Sequence, residues 1–192
     1  MRRIWFAAAA GLMALLLLAG CQSTKPGGSG NAENGSAQVV AEAKQDSFRS
    51  YRMEDIRELK RTEIFAEGAV EHIFDGSINK RGKATGYHYE GVEDSKGKIV
   101  EGTRSPADQN GIFTAKVEVS GVKKNGFSSF YPEEWSPQQV VDTINEAYQD
   151  ALRDKSNPHG DLWIGYAGEL EINMYLTKGK KIITAYPVRR KD

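Results

Sequence analysis

Two histidines lie sixteen positions apart in a glycine-studded stretch, within His72-Ile73-Phe74-Asp75-Gly76 and Gly86-Tyr87-His88-Tyr89. Near the C-terminus comes Thr184-Ala185-Tyr186-Pro187. The chain holds only three histidines in 192 residues, so two placed in this way invite a chemical reading. Imidazole titrates near pH 6.5, and a pair can take a proton at one end of a reaction and return one at the other. Cleavage of RNA by its own 2′-hydroxyl needs such a pair. A base deprotonates the 2′-hydroxyl, an acid protonates the departing 5′-oxygen, and a cation holds the extra charge on the phosphorane. Two imidazoles and a lysine supply these, an aromatic ring such as Tyr186 can stack on a base, and no metal or other cofactor is required. The products would be a 2′,3′-cyclic phosphate and a 5′-hydroxyl.

The elements that must position these residues begin late in the chain. Arg2 and Arg3 precede an apolar run from Ile4 to Leu18, and Leu18-Ala19-Gly20-Cys21 follows. Charge, length and small-residue exit together read as a secretory signal peptide over residues 1–20. Its ending resembles a bacterial lipobox, which implies cleavage before Cys21 and lipid modification of its thiol. Cys21 is the chain's single cysteine, so no internal disulfide forms and lipidation explains the odd thiol. Residues 21–46 are rich in Gly, Ser, Asn and Ala and cannot bury enough apolar surface to offset ordering entropy. They read as a tether spanning on the order of 25–30 Å. The expected location is the outer side of a cell membrane, held by the lipid.

The chain has 26 basic and 26 acidic side chains, and removing Arg2 and Arg3 leaves a slight acidic excess. Binding nucleic acid by bulk charge is thereby disfavoured, whereas a local basic site is not.

After the tether, Ser47 to about Gly68 carries an imperfect apolar stripe (Met53, Ile56, Leu59, Ile64, Phe65) that predicts a helical lead-in, counted as residues 47–66. A short helix is expected over Ala69–Phe74, with His72 on it. Residues Asp75 to Asp94, with His88, read as loop by composition. A short strand is expected at Ile99–Thr103, and Gly111–Val119 alternates as one strand. Val122–Gly126 would be a hairpin turn into a strand at Phe127–Tyr131. Ser136-Pro137 opens a helix with Ser as N-cap and Pro at N1. Its apolar face is Val140, Val141, Ile144, Ala147, Tyr148 and Leu152, and Ser156–Gly160 ends it. Three strands follow, Leu162–Tyr166, Glu169–Leu176 and Lys181–Val188. The expected fold class is α+β with antiparallel sheets.

From His72-Ile73 onward the chain resembles the bacterial branch of the EndoU ribonucleases. The likeness runs through His88, Gly111-Ile112-Phe113-Thr114-Ala115-Lys116-Val117, Ser128-Ser129-Phe130-Tyr131-Pro132-Glu133-Glu134-Trp135-Ser136 and Ile183-Thr184-Ala185-Tyr186-Pro187. It covers residues 67–192 as a domain. No single motif is specific; their order and spacing are. The resemblance implies an EndoU-like fold with two antiparallel sheets flanking the active site. It implies a metal-independent endoribonuclease acting on single-stranded RNA at uridine, with catalytic His72, His88, Lys124 and Tyr186. His88 is assigned as base and His72 as acid. Ser128, Thr184 and Lys116 would contact substrate, Ser128 at the base edge. The family's lysine precedes a Ser by a few residues, so Lys124 with Ser128 fits best and Lys116 and Lys123 are alternatives. Many bacterial members have Gly directly before the second histidine, where this chain has Tyr87. The resemblance also suggests a toxin, with an immunity protein as partner, while a surface RNase degrading extracellular RNA fits equally. Oligomeric state is not encoded.

Taken singly, each residue has a plain reading. His72 and His88 could be partly buried or surface side chains, Thr184 and Tyr186 ordinary strand residues, Lys124 a turn lysine, and His159 a helix C-terminal residue. Joint occurrence in family order moves the balance. Two rivals stand beside the nuclease. One is a zinc site, whose usual ligand spacings are missing. The other is a catalytically silent surface lipoprotein that uses an EndoU-like fold as a binding module.

Overall fold

The computed structural model describes residues 50–153 and 160–190. The expected signal peptide, Cys21, the whole of the expected tether and His159 lie outside the described residues. Among the described residues no helix is long and apolar enough to cross a membrane.

The chain enters through α1 (Met53–Arg57), which buries Met53 and Ile56. The Asp55 carboxylate accepts from the Arg52 amide at its start. The helix expected as far as Gly68 stops here, and Arg61 adopts a left-handed φ of 60°. The second half of the apolar stripe is buried in another way. Phe65 bridges Ile182 in parallel, the Ala66 amide donates to the Ile182 carbonyl, and the Ile182 amide donates to Ile64. Pairing with the edge of a sheet has replaced further helix.

α2 (Ala69–Phe74) starts from Gly68, whose φ is 71°. It buries Ala69, Ile73 and Phe74 and leaves His72 half-buried on another side. Within the stretch read as loop there is a hairpin, β1 (Ser77–Ile78) with β2 (Ala84–Thr85). Strands of two residues are too short to show a period-2 pattern. β3 (Gly97–Ile99) pairs antiparallel with β5 (Val117–Val119), which pairs with β6 (Val122–Lys123). β4 (Phe113–Ala115) pairs instead with β7 (Ser128–Phe130). The single strand expected over Gly111–Val119 is therefore two, in different sheets, with Lys116 at the break. The turn expected at Val122–Gly126 sits earlier, at Ser120-Gly121. Both residues there have left-handed φ, 49° and 77°, which suits the twist of a tight hairpin.

α3 (Pro137–Ala151) starts as expected and ends earlier than expected, with Leu152 as its C-cap. Ser136 Oγ accepts from the Gln139 amide and Gln139 Oε1 accepts from the Ser136 amide, a reciprocal cap. Val140, Val141, Ile144, Ala147 and Tyr148 are buried. β8 (Leu162–Ala167), β9 (Leu170–Leu176) and β10 (Ile182–Pro187) form an antiparallel sheet in the order β10-β9-β8. α3 lies against it so closely that a Cβ on Gly165 would stand 1.9 Å from the Ala147 carbonyl oxygen.

The fold is α+β with antiparallel sheets, as expected. Its strands make two three-stranded and two two-stranded sheets among the described residues. One apolar core lies between the helices and β8–β10. A smaller one gathers Tyr87, Phe113, Ala115, Val117, Val119 and Phe130 under the short sheets.

Candidate active site

His72 is fixed by polar neighbours from the hairpin. Its Nδ1 lies 2.8 Å from Ser77 Oγ, Ser77 Oγ lies 3.1 Å from Thr85 Oγ1, and Thr85 Oγ1 donates to the Ser77 carbonyl at 3.2 Å. That carbonyl can only accept. A chain using each hydroxyl proton once then runs outward from His72 Nδ1–H and leaves Nε2 with its lone pair.

His88 is pinned by its main chain. Its amide donates to the Ile73 carbonyl and its carbonyl accepts from the Tyr131 amide. Its Nδ1 lies 2.8 Å from the Ser129 carbonyl oxygen, so Nδ1 carries the proton and Nε2 the lone pair. The Tyr186 ring stacks on the imidazole, with centroids 5.3 Å apart and planes 18° from parallel.

The turn between the two histidines meets its geometric demands with two residues. Gly86 has φ 75°, and a Cβ there would stand 2.2 Å from the His72 carbonyl oxygen. Tyr87, standing where many bacterial members have Gly, has a left-handed φ of 62°. Its side chain compensates for that backbone. The ring is buried, meets Phe130 edge-on at 5.5 Å, and fills the space over Gly97.

Lys124 follows β6. Its Nζ donates to the Gly86 carbonyl at 3.0 Å and to Ser128 Oγ at 2.7 Å. An ammonium has three donors, so one is uncommitted by these bonds. Burial lowers the lysine to about pKa 8, which leaves it mostly charged at neutral pH. Burial, and secondarily the Lys124 charge, lowers His72 to about 4. The same two causes, in the same order, hold His88 well below its ordinary value, against the raising effect of the Ser129 carbonyl. Both imidazoles are neutral at pH 7.

The fourth wall is β10. A register shift between Ile182 and Thr184 changes which residues face inward. Ala185 is buried beneath, while Thr184 and Tyr186 face the same cavity as the histidines. Thr184 Oγ1 is buried and lacks a hydrogen-bond partner among the described residues.

The result is a cleft of about 390 Å³. Its lining includes His72, His88, Lys124, Thr184 and Tyr186, all five anticipated from sequence. Thr85, Gly86, Thr114, Phe127 and Ser129 complete it. Ser128 and Lys116, also expected to contact substrate, are not part of this lining. Ser128 is buried below the floor with its hydroxyl committed to Lys124 and the Gly86 carbonyl, so it does not reach the cavity. Lys116 is exposed at the rim, its Nζ 5.7 Å from the centre of the Phe127 ring. Lys123 is exposed on β6 opposite Glu118, which leaves Lys124 as the lysine of the cleft. Among the described residues no three His, Cys, Asp or Glu side chains gather at one point. Sequence reasoning missed Ser77 and Thr85, whose hydroxyls carried no distinguishing pattern. It also missed the Ser129 carbonyl, since main-chain acceptors leave no trace in residue type.

The model of the bacterial EndoU nuclease family matches residues 66–189, a span that contains every cleft residue. The chain belongs to this nuclease family. It is also 40% identical over 161 residues to a protein named Toxin from Bacillus cereus, a match covering 82% of this chain. The chain spans 29% of that relative's length.

Proposed function

We propose that this protein is a metal-independent endoribonuclease that cleaves single-stranded RNA, preferentially at uridine, to 2′,3′-cyclic phosphate and 5′-hydroxyl ends. One observation carries the reading: two imidazoles and a lysine share one cleft. His88 Nε2, with its lone pair available, takes the 2′-hydroxyl proton. The 2′-oxygen attacks phosphorus, and His72 gives a proton to the 5′-oxygen as that bond breaks. The negative charge of a bound phosphate counters the positive charge of Lys124 and favours the imidazolium form of His72, which supplies the acid when substrate arrives. The free Lys124 donor meets the phosphorane oxygens. Tyr186 stacks on the base. Thr184 Oγ1, unpartnered and facing the cleft, would gain its hydrogen bond from substrate. Ser129, which lines the cleft, takes the base-edge role that Ser128 is too buried to fill. Gel analysis of a uridine-containing oligonucleotide in EDTA tests the reading. Cleavage should persist, should vanish when the uridine is 2′-deoxy, and should fall about 10²–10⁴-fold in His72→Ala or His88→Ala. Cleavage of the 2′-deoxy substrate at an equal rate would rule out the transesterification.

We further propose that the domain is exported and held at a membrane by lipid on Cys21, with residues 21–46 as tether. The B. cereus relative's name supports a toxin role, for which an immunity protein would be the partner; a surface RNase is the other use of the same chemistry. Cys21→Ser should move the protein from the membrane to the soluble fraction. Residues 47–192 made in a cytoplasm should arrest growth, whereas the His88→Ala form should not. Continued membrane retention of Cys21→Ser, or equal growth with both forms, would remove the corresponding proposal.

A further inference from the structure

One wall of the cleft is the β4–β7 ribbon. Its register sets Thr114 across from Ser129 and Ala115 across from Ser128. Alternation sends Ala115 and Ser128 inward and Thr114 and Ser129 into the cleft. The same register carried one residue further puts Lys116 across from Phe127. The two side chains do meet, with the ammonium over the ring. Lys116 and Phe127 thus stand one same-face step, about 6.8 Å, outward from the Thr114–Ser129 pair.

Phe127 belongs to neither apolar core and is 58% exposed. Gly126, at φ 79°, supplies the turn that places it on the cleft's lip. Its ring lines the same cleft as the two histidines, with a cation beside it. We propose that Phe127 and Lys116 form a subsite for the nucleotide adjoining the one cleaved. The ring stacks on that nucleotide's base, and the ammonium pairs with its phosphate. The base must be unstacked to reach the ring, so the subsite selects single-stranded substrate. This inference rests on the RNA-cleaving reading.

The test uses the full chain and matched oligoribonucleotides with one uridine, in which the base on its 5′ or its 3′ side is left intact or removed to an abasic site. Phe127→Ala should weaken cleavage of the intact substrate about 5- to 150-fold, mainly through KM, the range expected for one base stacked on an aromatic ring. The abasic site on one side should cost the wild type a similar factor and cost Phe127→Ala nothing further. Phe127→Trp should restore the intact-substrate value. Lys116→Gln should lessen the slope of log KM against log salt by about 0.7, the contribution of one single-strand phosphate contact. Losses that multiply on both sides, or an unchanged KM in Phe127→Ala, overturn the subsite while leaving the nuclease reading intact. A wild type that cleaves none of the oligonucleotides overturns both.

Discussion

Gly86 joins three parts of the cleft through atoms that no side chain advertises. Its carbonyl accepts from Lys124 and Ser128, its α-carbon lies against the His72 carbonyl and ring, and its left-handed φ turns the chain toward His88. A methyl group here would stand 2.2 Å from main-chain oxygen, where nothing flexible can yield. His72 or the Gly86 carbonyl must therefore move, and Lys124 moves with the latter. Displacement of a catalytic group by about 1 Å is worth on the order of 10²-fold in rate. Gly86→Ala should lose about that much activity. Gly82 makes the control, because its φ is 72° and a Cβ there meets nothing within 4 Å. Gly82→Ala carries only the backbone cost, about 1–2 kcal/mol of stability. Steady-state rates beside thermal melts of both variants separate the two effects. Equal activity in the two would mean that the close approach at Gly86 does not position the site.

At the level of elements, legibility tracked how much local pattern each one carries. α3 was readable at both ends of the argument, from the Ser136 cap to the apolar face, because cap, proline and stripe agree. Val117, Val119, Phe113 and Ala115 were readable as buried, but period 2 says nothing about which neighbour pairs. Hence the switch of partners at Lys116 was invisible, and with it the wall that carries Thr114. Ser128 and Ser129 show the same limit at its sharpest. Adjacent strand residues point to opposite faces, so the choice between them depends on register. The register with β4 sends Ser129 to the cleft and Ser128 to Lys124. The stripe over Met53–Phe65 marked burial correctly and overextended the helix, since an edge of β10 took its second half. The histidines, Thr184 and Tyr186 were found through family order, and Lys124 was distinguished from Lys116 and Lys123 by burial that sequence does not show.

For the molecule as a whole, the burial that keeps the imidazoles neutral sets a limit on acid stability. An unfolded histidine titrates near 6.5. In the fold His72 is lowered to about 4 and His88 is held well below its ordinary value, both chiefly by desolvation. Above pH 7 both states hold both rings neutral, so folding does not depend on them. Between 6.5 and the folded values the unfolded chain binds protons that the folded chain does not, and stability falls as pH falls. A ring held neutral contributes up to about 1.4 kcal/mol per pH unit, so His72 alone costs about 2 kcal/mol by pH 5, and His88 adds to this in the same direction. The His72 share is already a sizeable part of the 5–15 kcal/mol typical of a domain, and corresponds to roughly 4–8 °C in melting temperature. Glu90, whose carboxyl is raised chiefly by burial, acts in the opposite sense. The melting temperature should therefore drop from pH 7 to 5, and His72→Gln should lessen the slope by removing one of the two rings. A bound anion between His72 and Lys124 should flatten it also, because it lets His72 charge without unfolding. A melting temperature that is level across this range would mean that the folded protein protonates its histidines as readily as the unfolded chain, and a neutral His88 could then no longer serve as the base.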